Sequence, residues 1–147
     1  MNANQTIDLP RDGECAFCAY LRGKRPYTIL SRTPLVATLV TREQRGQPHL
    51  LVLPVRHMST ILQLSDREAA ALMIAVRTAA TAIDRGYARP GIAVWQNNGV
   101  PAGQAIGHVH FHVAGTLDGG GTEWGSVPEI SVQETDRIAN RLRFPVG

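Results

Sequence analysis

Three histidines that could take part in catalysis or metal binding alternate with apolar residues in the run His-Val-His-Phe-His-Val at positions 108–113. A β-strand sends alternate side chains to opposite faces, so the run predicts a strand with His108, His110 and His112 on one face. At a rise of about 3.3 Å per residue the outer two stand about 13 Å apart, too far for one tetrahedral metal ion. We therefore expect the two ends of this histidine row to differ in purpose. A metal-binding strand or a merely half-buried strand is the alternative.

A cysteine pair gives a second chemical signal. The chain has only two cysteines, Cys15 and Cys18, in a C-x-x-C spacing. Such a pair is typical of a redox motif or of half a zinc site, and no βαβ pattern supports the redox alternative. Zinc requires two further ligands, for which we choose His57 and His108. Four protein ligands leave no open position, so the predicted Zn²⁺ is structural. Two reduced, buried thiols without a metal are the alternative.

A glycine-containing loop precedes the histidine row, with the sequence Asn-Gly-Val-Pro-Ala-Gly-Gln at positions 98–104. Its backbone amides, with the side chains of Asn97 and Gln104, can point at an anion such as a phosphate. Once His108 is assigned to zinc, His110 and His112 stay available beside this loop. A neutral imidazole is a competent nucleophile toward phosphorus, and a second imidazole can assist the leaving group. The arrangement predicts covalent phosphoryl or nucleotidyl transfer.

The surrounding pattern predicts an α+β fold with a five-stranded antiparallel sheet. Four β-rich runs cover residues 27–31, 34–41, 49–53 and 92–97, and the histidine row supplies the fifth strand.

One main helix is predicted between the third and fourth strands. It begins with a capping box formed by Ser65 and Glu68, and Gly86 marks its end. Its apolar face consists of Leu72, Met73, Val76, Ala80 and Ile83. Residues 15–21 can form one or two helical turns. Ser131 and Glu134 can cap a C-terminal helix that contains Ile138 and Leu142.

Length and composition indicate one domain. We predict an N-terminal arm over residues 1–13 and a single domain over residues 14–147, whose motifs lie in residues 14–115. No apolar run is long enough to cross a membrane, and the N-terminus lacks a secretory-signal pattern, so we expect a cytoplasmic location. The net charge of +3 is scattered, which excludes an obvious nucleic-acid groove. Around Arg22, Lys24, Arg25 and Arg32 a solvated hairpin is favoured over a nucleic-acid patch, and a weak bias toward anionic small molecules remains.

Together these motifs resemble the histidine-triad (HIT) family, in particular its zinc-binding bacterial type with an N-terminal C-x-x-C. The family signature is His-φ-His-φ-His-φ-φ, where φ is apolar, and residues 108–114 match it. The resemblance covers residues 14–115, in the family's order and spacing. Its further motifs are Cys-Ala-Phe-Cys at 15–18, His-Leu-Leu-Val-Leu-Pro at 49–54, Arg-His at 56–57, Gln-Asn-Asn-Gly at 96–99 and Ala-Gly-Gln at 102–104.

The resemblance implies a function as well as a HIT-like fold, usually in a homodimer. Family members hydrolyse or transfer nucleoside monophosphates from phosphoramidates, dinucleoside polyphosphates or acyl-nucleotides through a nucleotidyl-histidine, which here would form on His110. His112 would contact the phosphate and leaving group, and His49 would lie behind the row. The resemblance further implies phosphate contacts from Asn97, Gly103 and Gln104, and zinc ligands at Cys15, Cys18, His57 and His108.

Two positions depart from the family pattern. Thr41 replaces an acidic residue that holds the ribose hydroxyls in many members, and Ala105 replaces a serine or threonine that bonds the phosphate or leaving group. The segment at 40–45 is also unusually polar, so Arg42 or Arg45 could meet a different substrate, although a solvated hairpin turn is favoured.

Three functions fit these observations. The first is a zinc-containing hydrolase or transferase with a nucleotidyl-His110 intermediate, acting on a small phosphorylated molecule. The second is a non-catalytic module that binds a nucleotide or a protein, in which Thr41 and Ala105 mark lost turnover. The third is an enzyme of specialised metabolism with an altered pocket. None of the three predicts a nucleic-acid or membrane partner.

Overall fold

The computed structural model describes residues 6–11 and 13–144. Its strands are β1 (Ile29–Arg32), β2 (Val36–Val40), β3 (His49–Pro54), β4 (Ile92–Trp95) and β5 (Phe111–Gly115). Its helices are α1 (Ala16–Leu21), α2 (Asp66–Tyr87) and α3 (Val132–Leu142), with short 3₁₀ turns at Ile61–Gln63 and Val100–Ala102.

The strands form one antiparallel sheet in the order β1-β2-β3-β5-β4. Every residue of β2 and β3 is buried, because both faces of the central strands are covered. Leu50 and Val52 belong to the core beneath α2, whereas Leu51 and Leu53 belong to a second core that includes Phe17 of α1. This double coverage explains why β3 reads as a continuous apolar run rather than an alternating one. The predicted α+β, five-stranded antiparallel fold is confirmed.

The main helix differs from the prediction in two details. It begins as predicted, with a capping box between Ser65 and Glu68, but it passes Gly86 and ends at Tyr87. A Cβ at Gly86 would lie 3.1 Å from the carbonyl oxygen of Arg141, so this glycine allows α3 to approach rather than ending α2. Met73 was predicted to face the core and is 56% exposed. Leu72 and Val76 carry the buried face instead.

The histidine row is only partly a strand, so the sequence-based prediction of a strand over the whole run was wrong at its N-terminal end. β5 begins at Phe111, and residues 108–110 lie outside the ladder. The backbone N–H of Val109 donates to the carbonyl of Met58 at 2.8 Å, which draws this part of the chain away from the sheet. Pairing also runs out there, because the β3–β5 register ends at Val52 opposite Phe111. His108 lies outside the strand and is fully buried, although its ring, like that of His110, contacts Phe17.

The N-terminal residues that are described lie against the loop before the histidine row. The amide of Val100 donates to the carbonyl of Asp8 at 2.7 Å. The division into an arm over 1–13 and a domain over 14–147 stays a prediction, and residues 1–5, 12 and 145–147 lie outside the described part. Within the described ranges, no helix combines the length and apolarity needed to cross a bilayer.

Candidate functional site

The four predicted zinc ligands come together from three parts of the chain. Cys15 and Cys18 lie at the start of α1, His57 follows β3, and His108 precedes β5. Their sulfur and imidazole nitrogen atoms all lie within 4.8 Å of one another. Cys15 is the N-cap of α1 and its Sγ accepts from the amide of Cys18, so the helix start sets the spacing of the two thiols. These residues form a cluster that could hold a metal ion.

Three donor–donor distances in the cluster match the edges of a tetrahedral zinc site. With Zn–S bonds of about 2.3 Å and Zn–N bonds of about 2.05 Å, a tetrahedron has S···N edges of about 3.5 Å and an N···N edge of about 3.3 Å. Cys15 Sγ to His108 Nδ1 and Cys18 Sγ to His57 Nδ1 are each 3.4 Å, and the two Nδ1 atoms are 3.2 Å apart. Two sulfur and two nitrogen donors match zinc chemistry.

Groups around the cluster prepare it for a cation. His108 Nε2 lies 2.8 Å from the carbonyl oxygen of Pro54, which can only accept, so Nε2 carries the proton and Nδ1 presents a lone pair. Burial lowers the pKa of His108 to about 4, which keeps the ring neutral. Burial raises the pKa of the Cys15 thiol to about 11, so a bound cation is what would hold it as a thiolate at neutral pH.

His110 presents its other nitrogen. Its Nδ1 lies 2.7 Å from the carbonyl oxygen of His108, so Nδ1 carries the proton and Nε2 keeps the lone pair. The side chain lines a cavity of about 730 Å³ and is 9% exposed. Phe17 supports the ring from α1 in an edge contact with centroids 5.0 Å apart. Burial lowers the pKa of His110, which keeps this imidazole neutral and therefore nucleophilic.

His112 and His49 form a hydrogen-bonded pair behind His110. His49 Nε2 lies 2.9 Å from His112 Nδ1, and the backbone N–H of Arg45 donates to His49 Nδ1 at 3.1 Å. Because Nδ1 of His49 accepts there, its Nε2 carries the proton and donates to His112, whose Nε2 then carries a proton as a hydrogen-bond donor. In the other tautomer, His49 Nδ1 donates to the carbonyl of Glu43 at 3.0 Å. The geometry admits both tautomers of His49, and the contact from the Arg45 amide is the one that matches the donor form of His112.

Both histidines of this pair are neutral at physiological pH. Burial, together with the neighbouring His110 and Arg45, lowers the pKa of His49 to about 4 and that of His112 to about 2. An imidazole without charge can donate one hydrogen bond and accept another, as the tautomer chain requires.

The predicted phosphate loop borders the same cavity. Asn97 and Gly103 line it, and Asn97 Nδ2 donates to the carbonyl of Ala102 at 2.6 Å, which closes the loop. Gly103 has φ +95°, a conformation that favours glycine. Gln104 is placed differently: its side chain accepts from Gly99 N at 2.7 Å and donates to Ser59 O at 2.7 Å. The Gln104 side chain thus links the loop to the segment that contains Ser59, and its contact with phosphate stays a prediction.

Aromatic side chains form much of the cavity wall, and the sequence analysis did not single them out. Trp95, at the end of β4, stacks on His112 with ring centroids 4.6 Å apart and planes 4° apart. Tyr20 and Tyr27 stack on each other at 3.9 Å in the same wall. Phe17 could have been noticed from its place inside the cysteine motif, whereas the contact of Trp95 depends on strand register, for which the sequence carries no local signal.

The polar segment at 40–45 has a structural partner. Arg42 Nε donates to the carbonyl of Ile130 at 2.7 Å, and Arg45 Nη1 donates to the carbonyl of Gly125 at 2.7 Å. Both arginines thus hold the segment 122–130, hereafter the strap, against the turn after β2. The strap adds Glu123 and Trp124 to the cavity wall. Both arginines also line the cavity, and a contact from either one to a substrate stays a prediction.

The two departures from the family pattern both border the cavity. Thr41 is buried, and its Oγ1 accepts from the amide of Glu43 at 3.2 Å. Ala105 offers only a methyl group to the lining.

Comparisons with known proteins agree with this geometry. The sequence profile of the HIT domain matches residues 22–118. An adenosine 5′-monophosphoramidase of Schizosaccharomyces pombe is 30% identical over 131 residues, which cover 87% of this chain and 95% of that protein. Among solved structures, a HIT-like protein from Bartonella henselae has a TM-score of 0.81 at 20% identity, covering 91% of this chain and 97% of the other. A zinc-bound histidine triad family protein from Mycobacterium smegmatis has a TM-score of 0.75 at 21% identity, covering 88% and 94%.

Proposed function

This chain belongs to the HIT family, and we propose that it is a hydrolase or transferase of nucleoside phosphoramidates, dinucleoside polyphosphates or related phosphorylated small molecules. The reaction passes through a nucleotidyl-histidine on His110. The observation that carries the proposal is the free Nε2 of a neutral, oriented His110 in a cavity bordered by the loop at 97–103. The relative from Schizosaccharomyces pombe, named as a monophosphoramidase, supports the substrate class.

The proposed chemistry has two displacements at phosphorus. Nε2 of His110 forms a bond to phosphorus as the bond from phosphorus to the leaving group breaks, and water or an acceptor hydroxyl then displaces the imidazole. Asn97 and Gly103 hold the phosphate against the loop. His112 donates from Nε2 to the oxygen or leaving group where negative charge grows. His49 holds His112 in the donor form through the 2.9 Å contact.

We propose a structural zinc ion held by Cys15, Cys18, His57 and His108. The tetrahedral edge lengths and the donor set support it, and so does the zinc-bound relative. Four protein ligands leave no position for substrate, so the ion would tie α1 to the His108 end of the row. The carbonyl of His108 orients His110, and a fixed His108 therefore fixes the nucleophile.

We also propose that two copies associate as a homodimer and that the protein works in the cytoplasm on a small molecule. Support for the dimer comes from β4, which forms one edge of the sheet in the part of the chain the structure describes and carries Val94 at 47% exposure.

The strap favours a second candidate, an enzyme with a specialised substrate on the same scaffold. It lies beyond residues 22–118, which match the family profile, and it closes one side of the cavity with Glu123 and Trp124. A substrate screen distinguishes the two. Turnover of ordinary adenosine phosphoramidates supports the first function, and turnover only of other phosphorylated molecules supports the second.

The decisive experiment is intact-mass spectrometry of the protein mixed with an adenosine phosphoramidate and quenched at short times without acid. A transient gain of one nucleoside monophosphate is expected in the wild type and not in His110→Ala. Nucleotide binding without any adduct in the wild type would contradict the proposal and favour a non-catalytic binding module.

A further inference from the structure

Trp95 has a contact that the proposed reaction does not yet use. It is the last residue of β4, and the antiparallel register places it directly opposite His112 of β5. The planes of the two rings are within 4° of parallel, and their centroids are 4.6 Å apart. Directly opposed side chains are the closest cross-strand neighbours in an antiparallel pair, so the register itself produces this stack.

The His112 ring is held on two sides. His49 bonds its Nδ1 at 2.9 Å, and Trp95 covers one of its faces. His49 also packs against Trp95, with centroids 5.2 Å apart, so the three rings form one unit. The outer torsion of a histidine side chain is broad and nearly two-fold, which lets an unsupported ring rotate or flip. A flip of His112 would exchange the positions of Nδ1 and Cδ2 and those of Nε2 and Cε1, and would therefore break the bond from Nδ1 to His49.

We propose that Trp95 is a positioning residue that clamps the His112 imidazole against His49, so that Nε2–H of His112 is the one donor presented to the reacting phosphate. The kinetic part of this inference rests on the proposed function. The part that concerns the orientation of His112 does not.

The indole face adds an electrostatic contribution. Aromatic faces carry negative quadrupole charge and attract cationic groups, with tryptophan the strongest of the three rings. When His112 donates to a negatively charged oxygen its ring gains positive character, and the parallel indole stabilises that character. The other groups facing His112 are His49 from β3, His110 from the segment before β5 and Arg45 from the turn after β2, none of which supplies negative charge. The acidic side chains in the cavity wall are Glu43, Glu123 and Glu129.

The first test uses Trp95→Leu and Trp95→Phe. An aromatic pair is worth about 0.5–1.5 kcal/mol, so we expect kcat to fall about threefold to tenfold in Trp95→Leu with KM changed less than about twofold. Trp95→Phe keeps a ring face and should recover part of the loss. A rise in KM with kcat unchanged would contradict the inference, because it would indicate that Trp95 contacts the substrate.

A double-mutant cycle tests whether the effect passes through His112. If Trp95 acts only by positioning that ring, Trp95→Leu should cost nothing further when combined with His112→Ala. Additive losses in the double variant would overturn the proposal.

A substrate-free measurement separates this inference from the proposed function. In ¹⁵N spectra of the zinc-loaded wild type, we expect two well-separated nitrogen signals for His112, one for each nitrogen of a single tautomer. In Trp95→Leu these signals should move toward each other, because a ring that leaves His49 is no longer held in one tautomer. Unchanged signals would overturn the inference. If Trp95→Leu does not fold, Trp95→Phe should show a smaller movement of the two His112 nitrogen signals toward each other.

The second tryptophan gives a matched control. Trp124 lines the same cavity but is 89% exposed and lies on the strap. Trp124→Leu removes an equal ring from the cavity, and we expect the nitrogen signals of His112 to stay as in the wild type. A shift as large as that in Trp95→Leu would contradict a specific clamp. If Trp95→Leu moves the signals while the wild type forms no adduct, the positioning inference stands and the proposed function fails.

Discussion

The two ends of the histidine row place the same residue type in different surroundings. His108 lies among two thiols and a second imidazole, whereas His112 lies among an imidazole, an indole and the cavity. Burial lowers the pKa of both, to about 4 for His108 and about 2 for His112, so charge does not distinguish them. What differs is the set of neighbours, and the difference shows that sequence spacing creates the row while its surroundings assign each ring a task.

Backbone carbonyls decide which nitrogen each ring presents. The carbonyl of Pro54 takes the proton of His108 Nε2 and leaves Nδ1 for the metal cluster. Two residues later, the carbonyl of His108 takes the proton of His110 Nδ1 and leaves Nε2 for the cavity. Residue 108 therefore joins the two sites, since its side chain belongs to one and its carbonyl orients the other.

The largest effect is expected from breaking the metal end. Cys18→Ser removes one of the four proposed zinc ligands, and structural zinc sites contribute about 10 kcal/mol or more of apparent binding free energy to folding. We expect zinc content to fall from about one per chain to near zero and the unfolding free energy to drop by several kcal/mol. Metal analysis and urea unfolding check both.

Chelation of the wild type should reproduce the loss, and the same chelator should change Cys18→Ser little. A wild type that stays fully stable without metal would refute a structural zinc site.

The next effect sharpens the contrast between neighbours in the row. His110→Ala removes the proposed nucleophile, and we expect turnover to fall about a thousandfold or more while zinc content and stability stay near wild type. His108→Ala should lose zinc and stability together with activity. Steady-state kinetics, metal analysis and thermal unfolding of the two variants test the division. Loss of activity in His108→Ala with no loss of zinc or stability would point to a catalytic rather than structural role for that end.

A smaller effect concerns pH at the reactive end. Burial lowers the pKa of His49 to about 4 from its ordinary 6.5, so between these values the unfolded chain binds a proton that the folded chain does not. The unfolding free energy therefore falls as the pH drops from about 6.5 toward 4, by up to about 1.4 kcal/mol per pH unit for this group.

His49→Gln removes this titration and keeps a polar side chain. We expect its unfolding free energy to decline less steeply than that of the wild type between pH 6.5 and 5, by about 2 kcal/mol over the interval. Urea unfolding of both proteins at several pH values measures the slopes. Equal slopes would mean that His49 is not buried as a neutral ring.

Much of the fold could be predicted from local sequence. The capping box of Ser65 and Glu68 fixes the start of α2, and apolar runs bounded by turns give the strands. The end of α2 could not be predicted, because a glycine such as Gly86 is typical of a helix terminus, whereas here it allows α3 to approach α2 closely. The start of β5 was likewise hidden, since alternation continues through His108 although pairing does not.

The sequence by itself determined the chemistry available to this protein: two thiols at a metal-ligand spacing, a row of imidazoles and a glycine-containing loop before it. These signals are local, because residue type and spacing set which donors and backbone conformations exist. Only the tertiary structure decided the neighbours, including the stack of Trp95 on His112 and the bonds from Arg42 and Arg45 to the strap. Such contacts join residues far apart in the chain, and their register depends on how whole strands pair and pack.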